Sequence, residues 1–303
     1  MSYTEPPYEE RPYAEPPRSP FRRPLVLVPA VLLPVVAAGW FVYSGTGGGG
    51  TTTATAAPMT ASATPDAKQP PAAVKPLTGK VIVLDPGHNP TNYQHPSEIN
   101  RLVDIGTNKK ECDTTGTSTN ATSADAAYTE AQFTLDVAHR MRTLLESEGA
   151  TVKLTQDADR PFGPCVDERA RIGNAAKADA VVSIHADGSA QGNRGFHVIL
   201  PGAVHEGAAD TRRIVAPSKR LGELVANSFR RTTDTGPSNY VGSGTGSVTR
   251  TDLGGLNLST VPKVFIECGN MRDTKDAALL TSGAWRQKAA QGISEGIVSF
   301  LRG

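Results

Sequence analysis

The chain has 303 residues, with 31 basic against 30 acidic side chains, a formal net charge of +1, three cysteines and six histidines. That length accommodates one α/β domain with residues to spare. A near-neutral balance without a basic run excludes a nucleic-acid binder that tracks phosphates.

Residues 1–23 are rich in Pro, Glu and Arg and poor in core-forming side chains, the composition of a disordered cytosolic tail. From Leu25 to Tyr43 no charged residue occurs. As a helix this run is roughly 28 Å long, close to the hydrocarbon thickness of a bilayer. Residues 24–44 are therefore expected to form one transmembrane helix, with the cytoplasmic membrane as partner through residues 25–43. Pro29 and Pro34 are tolerated better in such a helix than in a soluble one. Arg18, Arg22 and Arg23 precede it, so the positive-inside rule leaves the amino terminus in the cytosol and exports the remainder. The alternative is a cleaved signal, for which Ala54-Thr55-Ala56 offers small residues, and the protein is then secreted. Residues 45–77 are Gly, Thr, Ala, Pro and Ser, a flexible linker with a reach of roughly 30 Å. The folded domain is expected to occupy residues 78–303 as a monomer.

That domain opens on Val81-Ile82-Val83-Leu84-Asp85-Pro86-Gly87-His88, an apolar strand-length run ending in a turn and a histidine. Residues 89–128 are Thr, Asn, Ser, Gly and Asp with little periodicity, a long loop that is a candidate cover for a cleft. A helix is expected from about Glu130 to Glu148, capped by Thr129 and stopped by Gly149. A strand follows at 151–154 and a short helix at about 167–177. Val181-Val182-Ser183-Ile184-His185-Ala186-Asp187 repeats the first design, a strand at 180–185 ending in a histidine. Residues 195–200 read as another strand, and Ser218 as the cap of a helix carrying Leu221, Leu224, Val225 and Phe229. Residues 232–261 read as loose and glycine-rich. Val264-Phe265-Ile266-Glu267 forms a strand ending in a carboxylate, and a final helix runs from about Trp285 to Leu301. Nearly continuous apolar strands alternating with helices indicate an α/β fold: one twisted, mostly parallel sheet flanked by helices.

In such sheets ligands bind at the carboxyl ends of the strands, where His88, His185 and Glu267 converge if their strands are neighbours. A catalytic zinc needs three protein ligands, an open position for water and a nearby carboxylate as base. His88 and His185 supply two ligands. Glu130 is a candidate third, although an acid at a helix amino terminus also has a plain electrostatic reading. Glu98, Glu111 and Asp125 compete for the place. His95, His139, His197 and His205 read as solvated or structural.

The segments Val83–His88, the Glu130 helix, Ser183–Asp187 and Val261–Asn270 together resemble the zinc-dependent N-acetylmuramoyl-L-alanine amidases of the Amidase_3 family. The Glu-Cys-Gly-Asn-Met segment is similar to that of the mycobacterial and actinobacterial branch. The resemblance covers roughly residues 78–302 and implies zinc on His88, Glu130 and His185, with Glu267 as the catalytic residue. It also implies a peptidoglycan or muramyl-peptide substrate, cut at the amide between N-acetylmuramic acid and L-alanine. Two departures stand out: Asn89-Pro90-Thr91 where many members have a glycine-rich stretch, and Thr134 where Asn is frequent.

Asp85 and Asp187 are candidates to orient the ligand histidines. Cys112 and Cys165 lie on the exported side, where a disulfide is permitted, and are expected to pair. Cys268 reads as a small buried apolar residue rather than a nucleophile. A catalytically silent peptidoglycan-binding protein on the same fold is the alternative from another class. A zinc peptidase or deacetylase shares the metal logic and differs in substrate.

Overall fold

The computed structural model describes residues 74–121 and 126–303. The apolar run at the start of the domain becomes β1, Val81–Pro86. The polar segment after it, expected as plain loop, holds a short helix α1, Pro96–Ile99, and a hairpin of β2, Leu102–Asp104, and β3, Lys109–Glu111. Then follow α2, Glu130–Ser147; β4, Thr151–Leu154; α3, Val166–Ala175; β5, Ala180–Asp187; and β6, His197–Pro201. A small hairpin of β7, His205–Glu206, and β8, Ala209–Asp210, leads to α4, Val215–Thr233. The chain finishes with β9, Ser247–Arg250; α5, Gly254–Asn257; β10, Lys263–Asn270; α6, Thr274–Leu280; and α7, Gly283–Arg302.

Six strands form one sheet in the order β4-β1-β5-β10-β6-β9. All its pairings are parallel except β10 with β6. Residues 188–196 between β5 and β6 are too few for the crossover of a dozen or more residues that a parallel return requires, so β6 comes back antiparallel. Strand side chains alternate between the two faces. On one face Ile82, Leu84, Val182, Ile184, Val198, Val264 and Ile266 pack against Phe133 and Met141 of α2, Leu221 and Phe229 of α4, and Ile293 and Ile297 of α7. The other face carries Val83 and Val181 in a small cluster with Ala178. Along the same rows follow Asp85, Ser183, His185, His197, Lys263, Phe265 and Glu267.

The helices start where their side chains can satisfy free N–H groups. Thr129 accepts from Gln132 N–H while the Gln132 side chain accepts from Thr129 N–H, a reciprocal cap that fixes Glu130 in the first turn of α2. Ser218 does not cap α4, which begins at Val215. Buried in that first turn, it accepts from the backbone N–H of Lys263 and ties the helix to β10. The stretch expected to be loose, 232–261, contains the edge strand β9 and the short α5.

The transmembrane expectation is corrected. No helix among the described residues is long and apolar enough to cross a membrane. The longest, α7, carries Arg286, Lys288, Glu295 and Arg302 and is amphipathic against the sheet. The segment 25–43 that prompted the expectation lies outside the described residues, as do the tail at 1–23, most of the linker and Ala54-Thr55-Ala56. The transmembrane element, the membrane as partner and the single-pass anchored location are therefore withdrawn.

Candidate metal centre

His88 is the first residue past the Asp-Pro-Gly turn and adopts a left-handed backbone, φ 60°. For a residue with a Cβ that conformation costs on the order of 1–2 kcal/mol and needs surrounding structure to hold it. Arg169 of α3 provides it. Buried, Arg169 donates from Nη1 to Asp85 Oδ1 at 2.9 Å and Pro86 O at 2.7 Å, and from Nη2 to His88 O at 3.1 Å and Asp113 Oδ2 at 2.9 Å. Thr134 of α2 adds a hydrogen bond to Gly87 O at 2.8 Å, so Thr in place of Asn still secures the turn. Asn89 is anchored too, donating to Arg160 O and Gly163 O. Gly87 has no alternative at its position, since a Cβ there would lie 2.3 Å from the His185 ring.

Three side chains converge. His88 Nε2 lies 3.2 Å from Glu130 Oε2, and His185 Nδ1 lies 2.9 Å from Glu130 Oε1. One donor atom from each residue lies within 4.8 Å of the other two, and no other such cluster occurs among the described residues. Bonds of roughly 2.1 Å to a tetrahedral zinc keep its ligands about 3.4 Å apart. The opposite nitrogens are engaged: His88 Nδ1 is 3.2 Å from Asp113 Oδ1 and 3.1 Å from Thr114 O, and His185 Nε2 is 3.3 Å from Ser183 Oγ. Donating from those nitrogens leaves the lone pairs of His88 Nε2 and His185 Nδ1 facing the cluster. Glu130 is pinned by the N–H groups of Thr117, 2.9 Å, and Ala186, 3.2 Å. Gly116, φ 71°, completes the cradle, where a Cβ would lie 2.7 Å from the His88 ring and 2.8 Å from Glu130 Oε2.

The electrostatics agree with the donor set. Burial disfavours the charged His88 imidazole, yet Glu130 and Asp113 together raise it well above its ordinary value. Burial acts to raise the Glu130 carboxyl, and the two histidines outweigh it and hold it well below the usual range. The cluster is thus a buried place that favours positive charge, and it fits a divalent ion.

Glu267 stands beside it on β10, its Cα paired with that of His185 on β5. Burial pushes its carboxyl well above the ordinary range, with Glu130 and Asp187 adding to the effect. Its Oε2 is buried without a hydrogen-bond partner. Phe265, two residues earlier on the same face, stacks on the His185 ring at 5.2 Å and 16°. Cys268 points into the apolar core and burial pushes its thiol up, which leaves it unsuited to nucleophilic attack.

The remaining sequence candidates have definite places. Asp85 touches neither imidazole directly. It accepts from Ser183 Oγ at 2.9 Å, and so reaches His185 through that hydroxyl, while Thr155, Arg169 and Lys263 supply its other donors. Asp187 accepts from Tyr240 Oη at 2.7 Å. Cys112 and Cys165 form a disulfide that joins the strip carrying Asp113 to the amino terminus of α3. Glu98 faces His95 at 3.6 Å, Glu111 is exposed on β3, and Asp125 lies outside the described residues. Sequence reasoning missed Asp113, Arg169, Ser183 and Lys263, which lock the ligands. An aspartate beside a loop cysteine and a lysine opening a strand carry no local sign of such work.

The chain matches the profile of the N-acetylmuramoyl-L-alanine amidase family over residues 82–299. It is 36% identical over 245 residues to an N-acetylmuramoyl-L-alanine amidase of Mycobacterium tuberculosis, covering 80% of this chain and 95% of that protein. Its fold superposes on the crystal structure of the N-acetylmuramyl-L-alanine amidase Ami1 from Mycobacterium smegmatis with a TM-score of 0.66 and 37% identity, covering 74% of this chain and 98% of the other. The apo form of Ami1 from Mycobacterium abscessus gives a TM-score of 0.66 and 38% identity, covering 74% and 100%.

Proposed function

Because the chain belongs to the N-acetylmuramoyl-L-alanine amidase family, we propose that His88, Glu130 and His185 hold its catalytic zinc and that Glu267 is its general base. The protein is a zinc-dependent hydrolase of peptidoglycan. It cleaves the amide between the lactyl group of N-acetylmuramic acid and the L-alanine of the stem peptide. The observation that carries the residue assignment is the meeting of two imidazoles and a carboxylate beside a second, half-buried carboxylate from the neighbouring strand.

Held by His88, Glu130 and His185, zinc would supply a Lewis acid for the scissile carbonyl and would acidify water at neutral pH. The rest is supplied by the chain. Glu267 takes a proton from the attacking water as the new C–O bond forms, then delivers it to the alanine nitrogen as the C–N bond breaks. Burial, with Glu130 and Asp187 nearby, raises its affinity for a proton. Asp113 fixes His88, and Ser183, backed by Asp85, fixes His185, so that neither ring turns its protonated nitrogen toward the metal. Phe265 covers the His185 ring and keeps water from that side.

Glu267→Gln is the decisive variant. It is expected to bind one zinc per chain and unfold at the wild-type temperature, while release of L-alanine-terminated peptides from purified cell wall drops by about 10³-fold or more. Mass spectrometry of the new amino ends reads the product, and retained hydrolysis refutes the assignment of Glu267. Absence of zinc from purified wild-type protein points instead to a silent peptidoglycan-binding role.

A further inference from the structure

We propose that His197 is a positioning residue for the amidase reaction, donating from Nδ1 to the second oxygen of Glu267 so that the first stays turned toward the metal centre. The proposal rests on Glu267 being the base. His185, Glu267 and His197 lie side by side on β5, β10 and β6, with Glu267 the Cα partner of both histidines. All three project from the same face of the sheet, and directly opposed side chains on antiparallel strands have Cβ atoms about 5 Å apart. An imidazole and a carboxylate meet comfortably across that gap.

Two complementary atoms at this place lack partners. Glu267 Oε2 is buried and accepts no hydrogen bond, and His197 Nδ1 is buried and makes none. The His197 residue is 4% exposed, so solvent does not answer for it. Buried polar atoms normally find partners, and each of these atoms is of the kind the other lacks. The Tyr240 ring lies edge-on to the imidazole at 6.2 Å and 87°, its own hydroxyl committed to Asp187. Burial holds the His197 imidazole down at about 4, so near neutral pH it carries one N–H and one lone pair. Asp187 on β5 and Arg250 on β9 are the charged groups acting on it. Glu267 is faced by Glu130 of α2, Asp187 of β5, His88 after β1 and Arg250 of β9, and none of these gives it a hydrogen bond at Oε2. A carboxylate set among other acids, with no hydrogen bond at one of its oxygens, swings unless something fixes it. His197 is the neutral donor in register to do so.

The test pairs His197→Leu with His197→Asn, two side chains of similar size that differ in the N–H placed where Nδ1 stood. The Leu variant is expected to lose about 10- to 100-fold in kcat with KM within about twofold and stoichiometric zinc. The Asn variant is expected to recover most of the loss. Equal activity of the two variants, whether both high or both low, overturns the proposal, as does loss of zinc from the Leu variant. A second readout needs neither substitution at 197 nor turnover. Long-range ¹H–¹⁵N correlation spectra of the zinc-loaded wild-type chain should place the proton of His197 on Nδ1, and that signal should move in Glu267→Gln. A proton on Nε2, or a signal indifferent to Glu267→Gln, defeats the proposal even if the Leu variant does not fold. Full activity of Glu267→Gln defeats instead the assignment of the base, so the two failures are told apart.

Discussion

The two faces of the central sheet are made from alternate residues of the same strands, yet they obey different rules. On one, Ile82, Leu84, Val182, Ile184, Val264 and Ile266 meet α2, α4 and α7 in a continuous apolar core. On the other, Asp85, Ser183, His185, Lys263 and Glu267 occupy the same strands one residue out of step, under α3 and α5. The first face gains stability from area removed from water, without regard to direction. The second buries charges, which is tolerable only where each has a partner at the right distance. Asp85 shows the consequence: fully buried, it is met by Lys263 at 2.9 Å, Arg169 at 2.9 Å, Ser183 at 2.9 Å and Thr155 at 2.7 Å. One face holds the fold and the other holds the geometry, which the same backbone can combine because its side chains alternate.

Substitutions should separate these two tasks. Phe133→Ala, on the apolar side of α2, is expected to cost about 3–5 kcal/mol of unfolding free energy while zinc affinity at 25 °C stays at the wild-type value. Urea unfolding and zinc titration read the two quantities, and a parallel collapse of both would show that the faces are not separable. Acid probes the opposite face. Burial raises the Asp85 and Asp113 carboxyls, but Lys263 and Arg169 for the first and Arg169 for the second outweigh it and hold both well below the ordinary value. Depressed carboxylates contribute stability that is complete above the unfolded value of about 3.9 and is lost as pH falls toward the folded values. Zinc-free protein should therefore lose stability steeply as pH falls below about 4, breaking pairs of the kind worth about 3–5 kcal/mol. A flat profile down to pH 2 would deny the ionic latch.

Smaller effects sharpen the contrast. Asp113→Asn removes the charged acceptor of His88 and one partner of Arg169. It is expected to weaken zinc binding about 10- to 100-fold, seen by competition with a chromogenic chelator. An unchanged affinity would leave Thr114 O as sufficient support for the His88 ring. Thr134→Val deletes the hydrogen bond to Gly87 O with little change of shape. About 1 kcal/mol of stability should go with it, and a loss of several kcal/mol would mean that the turn depends on that bond far more than on Arg169.

Much of this was readable along the chain. Apolar runs located β1, β5 and β10 because strands buried on both sides write long hydrophobic stretches, and a periodic stripe located α2 and α7. The residues at the ends of those runs, His88, His185 and Glu267, were visible as chemistry placed where strands stop. Glu130 was distinguished from rival acids by family resemblance, and its position is fixed by a reciprocal cap that local sequence also displays. Edge strand β9, Ser-Val-Thr-Arg, left no apolar run, and the β2–β3 hairpin hides in a polar stretch because it needs only one buried residue, Val103. His197 read as a bystander, since the short link before β6 implies an antiparallel return but nothing in the chain shows that β6 lies beside β10.

The amino-acid order therefore settled which segments become strands and helices and which residue types stand at their ends, because hydrophobic period and capping are local properties. Partnership was decided by the fold. Lys263 lies 178 residues from Asp85 and Arg169 lies 56 from Asp113, and such pairs exist only once the sheet has stacked their strands and closed α3 over them. A buried charge finds its counter-charge through tertiary contact, and no local pattern encodes a distance across the sheet.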